Sequence, residues 1–301
     1  MNLTDMADSD HKVKKGLVLR KYVKKMRPDI VLSFLTPFNM LTLTFLYRLT
    51  IPIIVAERND PRFIKGGKVI SFIRNCLYRT ASGILCQTHT MKECFPPLFR
   101  GKIHVIYNPI VLHENLQGTA LYTAKRTRIV TVGRLRPQKG HKLLIDSFRI
   151  FHDTYPDYTL TIYGDGYLYG STKEYIAEIG LEHCIELAGT CKNVHGLITD
   201  AKLFIMTSVY EGMSNALIEA MCLGLPCIST KVSGAMDLIK TGYNGILVDS
   251  NTTSIVQSMK SIVDNPAFAE NLGRNAALLY NQLNVDLISN EWISYLDSKI
   301  V

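Results

Sequence analysis

Three short segments carry side chains whose types and spacing could act together on a phosphorylated, hydroxyl-rich ligand. The first is Val132-Gly133-Arg134-Leu135-Arg136-Pro137-Gln138-Lys139-Gly140, directly after an apolar, β-branched run over Arg128–Val132. Gly133 permits a tight exit from a strand, and Arg134 and Lys139 then stand where an anion would rest. A guanidinium offers a fork matched to phosphate oxygens, and an ammonium offers a point charge. Cations at the start of a helix oppose its dipole and need another reason to be there, although two solvated cations remain the plainer alternative. The segment lacks the GxxxxGK(S/T) spacing of a Walker A loop. The second segment, Tyr163-Gly164-Asp165-Gly166, follows the run Tyr158–Tyr163, and its glycines let a ligand approach the backbone. With Gly170 it reads GxGxxxG, near the dinucleotide fingerprint but not its G-x-G-x-x-G form. A nicotinamide-dependent oxidoreductase is therefore a remote alternative, without an acidic partner on the next strand.

The third segment is Glu211-Gly-Met-Ser-Asn-Ala-Leu-Ile-Glu219-Ala-Met-Cys-Leu-Gly-Leu-Pro226, after the run Leu203–Met206. Gly212 gives the backbone freedom, and a helix opens near Ser214 whose free N–H groups can receive a phosphate or a sugar hydroxyl. Glu211 precedes that helix and Glu219 lies on it, with seven residues between them. Carboxylates so placed accept hydrogen bonds from ligand hydroxyls. Two solvated glutamates flanking an amphipathic helix would explain each residue singly, but not the three segments together.

The elements that must position these residues alternate along the whole chain. Strands are predicted at Asp29–Phe34, Pro52–Ala56, Gly83–Cys86, Ile103–Tyr107, Arg128–Val132, Tyr158–Tyr163, Ile185–Ala188, Leu203–Met206, Pro226–Ser229 and Gly245–Val248. Helical patterns fill the gaps, among them 13–26, 38–49, 139–154, 194–200, 214–223 and 266–282. Such alternation predicts α/β architecture with parallel sheets covered on both faces. Ligands of open parallel sheets bind outside the carboxyl ends of the strands, where all three segments fall. A new strand series opens after a polar stretch, so two lobes are expected.

Composition narrows the class. The 301 residues are 47% apolar and 20% charged, which excludes a disordered, collagen-like or disulfide-stapled chain. The net charge of +8 is uneven: residues 1–110 hold 18 basic and 7 acidic side chains, and residues 111–301 hold 16 and 19. A basic half beside a mildly acidic half points one lobe at an anionic partner, with an ordinary solvated face as the alternative. No nucleic-acid motif accompanies the charge. The seven cysteines form no CxxC pair and read as reduced residues of a cytoplasmic protein, and no metal site is expected. The amino terminus lacks a signal-peptide pattern. Ile30–Tyr47 is uncharged for 18 residues, but Pro37 and its hydroxyl and amide side chains make it a strand, a turn and a buried helix rather than a membrane span.

EGMSNALIE is an EX7E motif, and with VGRLRPQKG, YGDG and the later GYNGILV the chain resembles glycosyltransferase family 4 over about residues 20–301. The resemblance implies a GT-B fold, in which two Rossmann-like lobes face each other, and a retaining transferase that uses a nucleotide-sugar without a metal or other cofactor. SNALIEAM together with Ala56-Glu-Arg-Asn-Asp-Pro61 is similar to bacterial members that build capsular, exopolysaccharide or lipid-linked glycans, many from UDP-sugars. Carried over, Arg134 and Lys139 grip the donor diphosphate, Glu211 contacts the donor sugar, and Glu219 accepts from the ribose hydroxyls. Gly133, Gly164 and Asn193 line the nucleotide, with Met213, Ser214, Asn215 and Ala216 supplying N–H groups. Glu57, Arg58 and Asn59 fall where many relatives place a histidine near the reacting carbon. The lobes implied are 1–109 on the acceptor side and 128–289 on the donor side, joined by a linker over 110–127. A C-terminal helix over 290–301 would cross back to the first lobe. Nothing before Asp29 reads as a strand, so the first lobe is expected to lack at least one βα unit; a shortened, non-catalytic nucleotide-sugar-binding scaffold is the alternative. The family also implies a polyprenyl-phosphate-linked or glycan acceptor, met at the inner face of the plasma membrane by the basic lobe.

Overall fold

The computed structural model of the chain describes residues 12–64, 66–112 and 126–300. It divides into two compact units, Met1–Tyr107 with Ile288–Val301, and Asn108–Leu287.

The first unit runs α1 (Lys12–Met26), β1 (Val31–Phe34), α2 (Thr36–Phe45), β2 (Ile53–Ala56), α3 (Gly67–Tyr78), β3 (Gly83–Cys86), α4 (His89–Glu93) and β4 (Ile103–Val105). The strands form one parallel sheet in the order β1-β2-β3-β4. Every residue of the short apolar strands β2 and β3 is buried, as strands covered on both faces require. Val23 of α1, Leu43 of α2, Tyr78 of α3 and Met91 of α4 close over them. The uncharged stretch 30–47 resolves into β1, a turn at Leu35 and α2, which buries Asn39, Thr42 and Leu43. Among the described residues no helix is long and apolar enough to cross a membrane.

The second unit runs β5 (Arg126–Val132), α5 (His141–His152), β6 (Thr159–Tyr163), α6 (Tyr169–Glu178), β7 (Ile185–Gly189), α7 (Val194–Ile198) and β8 (Ala201–Met206). It continues through α8 (Asn215–Cys222), β9 (Cys227–Thr230), α9 (Ser233–Leu238), β10 (Ile246–Val248), α10 (Thr252–Val263), α11 (Pro266–Ala277), α12 (Tyr280–Leu283) and the start of α13 (Val285–Asp297). Its parallel sheet has the order β7-β6-β5-β8-β9-β10, so the chain winds outward one way from β5 and then the other way from β8. Helix α5 shows why: Leu144, Ile145, Phe148 and Phe151 recur at helical spacing and are fully buried against Leu160, Ile162 and Leu203. Truncating one such phenylalanine to alanine costs about 3–5 kcal/mol.

Several boundaries differ from those predicted. β5 begins at Arg126 rather than 128, because the Arg126 N–H donates to the Asp200 carbonyl (2.8 Å) and its guanidinium pairs with the Asp200 carboxylate (3.1 Å). Apolar periodicity does not register a strand end held by charges. The linker predicted over 110–127 lies, for residues 113–125, outside the described residues. The helix predicted over 266–282 is two, since the Leu279 N–H reaches back only to Ala276 (3.0 Å) and tightens the turn between α11 and α12. From Ile288 on, α13 belongs to the first unit, where Tyr295 stacks on His104 at 4.8 Å and Trp292 meets Phe34 at 6.3 Å.

Candidate functional site

In the second unit the order of strands reverses between β5 and β8, which are hydrogen-bonded neighbours. The loops that leave their carboxyl ends diverge there and open the crevice where such sheets bind ligands. The β5 loop is pinned from one side by β6, with Gly133 N–H donating to Tyr163 O (2.9 Å) and Leu135 N–H to Asp165 O (3.0 Å). From the other side the β8 loop holds it: Val209 N–H donates to Gln138 O (2.8 Å), and the Thr207 hydroxyl donates to the carbonyls of Lys139 and Gly140 (3.2 and 3.1 Å). Gly140 has φ +64° and a Cβ there would overlap the Thr207 carbonyl, so this close approach requires glycine.

The lacing sets Lys139 against Glu211. Lys139 Nζ lies 2.6 Å from Glu211 Oε1, and the Ser208 hydroxyl donates to the same oxygen at 3.0 Å. The side chains are 19% and 10% exposed, so the pair is largely withdrawn from water. The lysine stem crosses Gly133, whose added Cβ would stand 3.3 Å from its Cδ and Cε. Among the described residues Glu211 Oε2 has no partner, which leaves one carboxylate oxygen for a ligand. Arg134 is exposed at the same loop and makes no side-chain hydrogen bond to a described residue. Gly164 sits beneath, at φ +138°, where a Cβ would collide with the Gly133 carbonyl oxygen. Behind Lys139, His141 begins α5; burial, helped by the Lys139 charge, pushes its pKa down to about 4.

Helix α8 starts in the same crevice. Ser214 is its N-cap, its hydroxyl accepting from Leu217 N–H (3.5 Å). Met213 and Ser214 are buried, Ala216 is half-buried and Asn215 is exposed. The loop is tied to Asn108, whose side-chain amide donates to Asn215 Oδ1 (2.8 Å) and reaches the Met213 carbonyl (3.4 Å). Glu219, one turn along α8, places Oε2 3.3 Å from His195 Nε2 on α7. Asn193 caps α7 by accepting from Gly196 N–H (3.4 Å). Val111, Lys192, Asn193, Val194 and His195 line an open cavity of about 450 Å³. Sequence reasoning missed His195 and Asn108. Neither sits in a motif, and only the fold brings them to Glu219 and Asn215.

Glu57, Arg58 and Asn59 belong to the first unit. The Glu57 carboxyl is buried and accepts from the Tyr78 hydroxyl and from Thr36 Oγ1 (2.8 Å), while Asn39 donates to Tyr78 (2.9 Å). Burial pushes its pKa up, against those hydrogen bonds and the nearby Arg74 charge. Contrary to an acceptor-facing role, Glu57 is an internal brace between β2, α2 and α3, with both oxygens engaged. Arg58 lies 5.7 Å over the Phe34 ring, partial burial lowering its pKa, and Asn59 is exposed.

The family model described as Glycosyl transferases group 1 matches residues 119–278, which include Gly133, Arg134, Lys139, Gly164, Glu211 and Glu219. The chain is 23% identical over 286 residues to the GalNAc-alpha-(1->4)-GalNAc-alpha-(1->3)-diNAcBac-PP-undecaprenol alpha-1,4-N-acetyl-D-galactosaminyltransferase of Campylobacter jejuni, covering 94% of this chain and 78% of that protein. It is 29% identical over 252 residues to that organism's N-acetylgalactosamine-N,N'-diacetylbacillosaminyl-diphospho-undecaprenol 4-alpha-N-acetylgalactosaminyltransferase, covering 81% of this chain and 67% of that protein. Among solved structures, HepE of Anabaena in complex with UDP-glucose superposes with a TM-score of 0.82 at 20% identity, covering 94% of this chain and 82% of that one. That likeness shows the fold, GT-B, as the motifs had implied. The nicotinamide alternative for Gly164-Asp165-Gly166 falls with it. On these grounds the chain belongs to the group 1 glycosyl transferases and is a glycosyltransferase of GT-B fold.

Proposed function

We propose that the enzyme moves a sugar, with retention at its anomeric carbon, from a UDP-sugar to a lipid-linked glycan in cell-surface polysaccharide synthesis. The observation that carries this reading is Lys139, held 2.6 Å from Glu211 above Gly133 where the sheet order reverses. The donor is supported by the UDP-glucose in HepE, and the acceptor by the undecaprenol diphosphates in the names of the Campylobacter relatives.

In this reading Arg134 and Lys139 hold the diphosphate, Gly133 and Gly164 let it approach the backbone, and N–H groups at Met213–Ala216 add donors. As the glycosidic bond breaks, positive charge grows on the sugar ring and negative charge on the leaving diphosphate. Fixed cations and N–H groups then stabilise charge that exists mainly in the transition state. That arrangement serves the leaving group without a metal ion. The free Oε2 of Glu211 accepts from a donor-sugar hydroxyl. Glu219, oriented by His195, accepts from the ribose, and Asn193 borders the base. In this reading no covalent glycosyl-enzyme forms: the acceptor attacks from the side of the departing phosphate, which takes its proton.

The first unit would meet the membrane. Helix α1 exposes Val13, Leu17, Tyr22 and Met26 among its lysines, and each cation near an anionic surface is worth about 1 kcal/mol.

Calorimetric titration with UDP, GDP and ADP, followed by transfer from the matching sugar donors to a polyprenyl-diphosphate-linked glycan, tests the reading. UDP should bind best, and Glu219→Gln should weaken it roughly 10-fold or more, the worth of one charged hydrogen bond. Preference for GDP or ADP would remove the donor assignment. Binding to phosphatidylglycerol vesicles but not to phosphatidylcholine ones checks the membrane contact.

A further inference from the structure

At the amino ends of the second unit's strands, away from Lys139 and Glu211, three side chains with metal-ligating atoms converge. His152 closes the last turn of α5, and His183 and Cys184 lie in the turn that leads into β7. A ring nitrogen of each histidine and the Cys184 sulfur all lie within 4.8 Å of one another. The sheet makes the meeting: β6 and β7 are neighbours, and Leu160 N–H donates to the Cys184 carbonyl at 2.8 Å. The two imidazoles meet edge to face with centroids 5.7 Å apart, and Phe148 backs His152 at 5.4 Å.

The tautomer of His152 is set by its surroundings. Its Nδ1 lies 3.1 Å from the Tyr158 carbonyl, which can only accept, so the neutral ring carries its hydrogen there and keeps a lone pair on Nε2. A backbone carbonyl on the distal nitrogen is the partner that orients metal-ligating histidines. Cys184 is buried, its Sγ 3.5 Å from Leu181 O, and His183 is exposed on its turn.

We propose that His152, His183 and Cys184 form a binding site for a thiophilic divalent cation, with zinc the ion that suits two imidazoles and one thiolate. On binding, the Cys184 thiol gives its proton to solvent and the sulfur bonds the metal, with water in the fourth position. Zn–N bonds of about 2.0–2.1 Å and a Zn–S bond of about 2.3 Å need the ligand atoms closer than they stand, and the exposed His183 is free to make that movement. The ion would staple the end of α5 to the starts of β6 and β7. Its role is stability of the unit rather than the transfer step, since Lys139 and Glu211 occupy the opposite end of the strands.

The test uses the full chain stripped with a chelator and titrated with Co²⁺, then with Zn²⁺. One equivalent of Co²⁺ should give a thiolate-to-cobalt charge-transfer band and the intense visible bands of a tetrahedral ion, both displaced by Zn²⁺. Cys184→Ser should abolish the charge-transfer band, while Cys76→Ser, an exposed cysteine elsewhere, should keep it. His183→Ala, a surface change that leaves the core intact, should weaken Co²⁺ by more than roughly 100-fold, above the worth of an outer-shell partner. Zn²⁺ should raise the melting temperature of the wild type and not of Cys184→Ser. A missing charge-transfer band, or one that survives in Cys184→Ser, would overturn the proposal.

Discussion

Replacing Lys139 by alanine separates two things that its ammonium does. In the free enzyme it neutralises Glu211, at 2.6 Å, with the two side chains 19% and 10% exposed. Without it the Glu211 carboxylate keeps only the Ser208 hydroxyl at 3.0 Å. Deleting one partner of a buried pair costs about 3–5 kcal/mol, and the remaining exposure places this pair near the low end, about 3 kcal/mol. In the reaction, the loss of one preorganised charge at the leaving diphosphate should lower turnover roughly 10²–10³-fold, or about 2.7–4 kcal/mol. The double variant Lys139→Ala/Glu211→Gln distinguishes the two, because glutamine removes the orphaned charge. Its melting temperature should return most of the way to the wild-type value while turnover stays low. Calorimetric melting and steady-state release of UDP from the preferred donor measure both. If Lys139→Ala melts early yet keeps turnover within about threefold, the pair is a structural brace and the phosphate reading fails.

Gly164→Ala puts a methyl group into the Gly133 carbonyl at φ +138° and should displace the β5 loop, lowering both stability and UDP affinity. Gly170→Ala, which meets no heavy atom within 4 Å on α6, should instead be neutral or stabilising by about 0.5–1 kcal/mol; equal losses in both would refute the close-approach argument. His141, pushed down to about 4 by burial and by Lys139, binds its proton more tightly in the unfolded chain. Stability is therefore fully present above its ordinary pKa near 6.5 and falls as pH drops towards 4, by up to about 3 kcal/mol. Urea unfolding of His141→Gln should show a shallower loss over that window, and an unchanged slope would assign the acid sensitivity elsewhere.

What the sequence determined by itself was local. Apolar runs, glycines and caps mark strands, loops and helices because each depends on a few neighbouring residues, and this set the ten strands, the loop positions of Arg134, Lys139, Gly164 and Glu211, and Glu219 on its helix. Strand ends held by charge, as at Arg126 and Asp200, carry no apolar signal and were read short. The tertiary structure decided the partnerships. Lys139 meets Glu211 because β5 and β8 are neighbours in the sheet, and His195 meets Glu219 because α7 packs beside α8. Glu57 looks like a loop carboxylate in the sequence, yet Tyr78 and Thr36 enclose it. His152 reaches His183 and Cys184 only through the β6–β7 pairing. Burial and sheet order depend on contacts between distant parts of the chain, and whether a polar side chain binds, braces or ligates depends on what those contacts leave open to solvent.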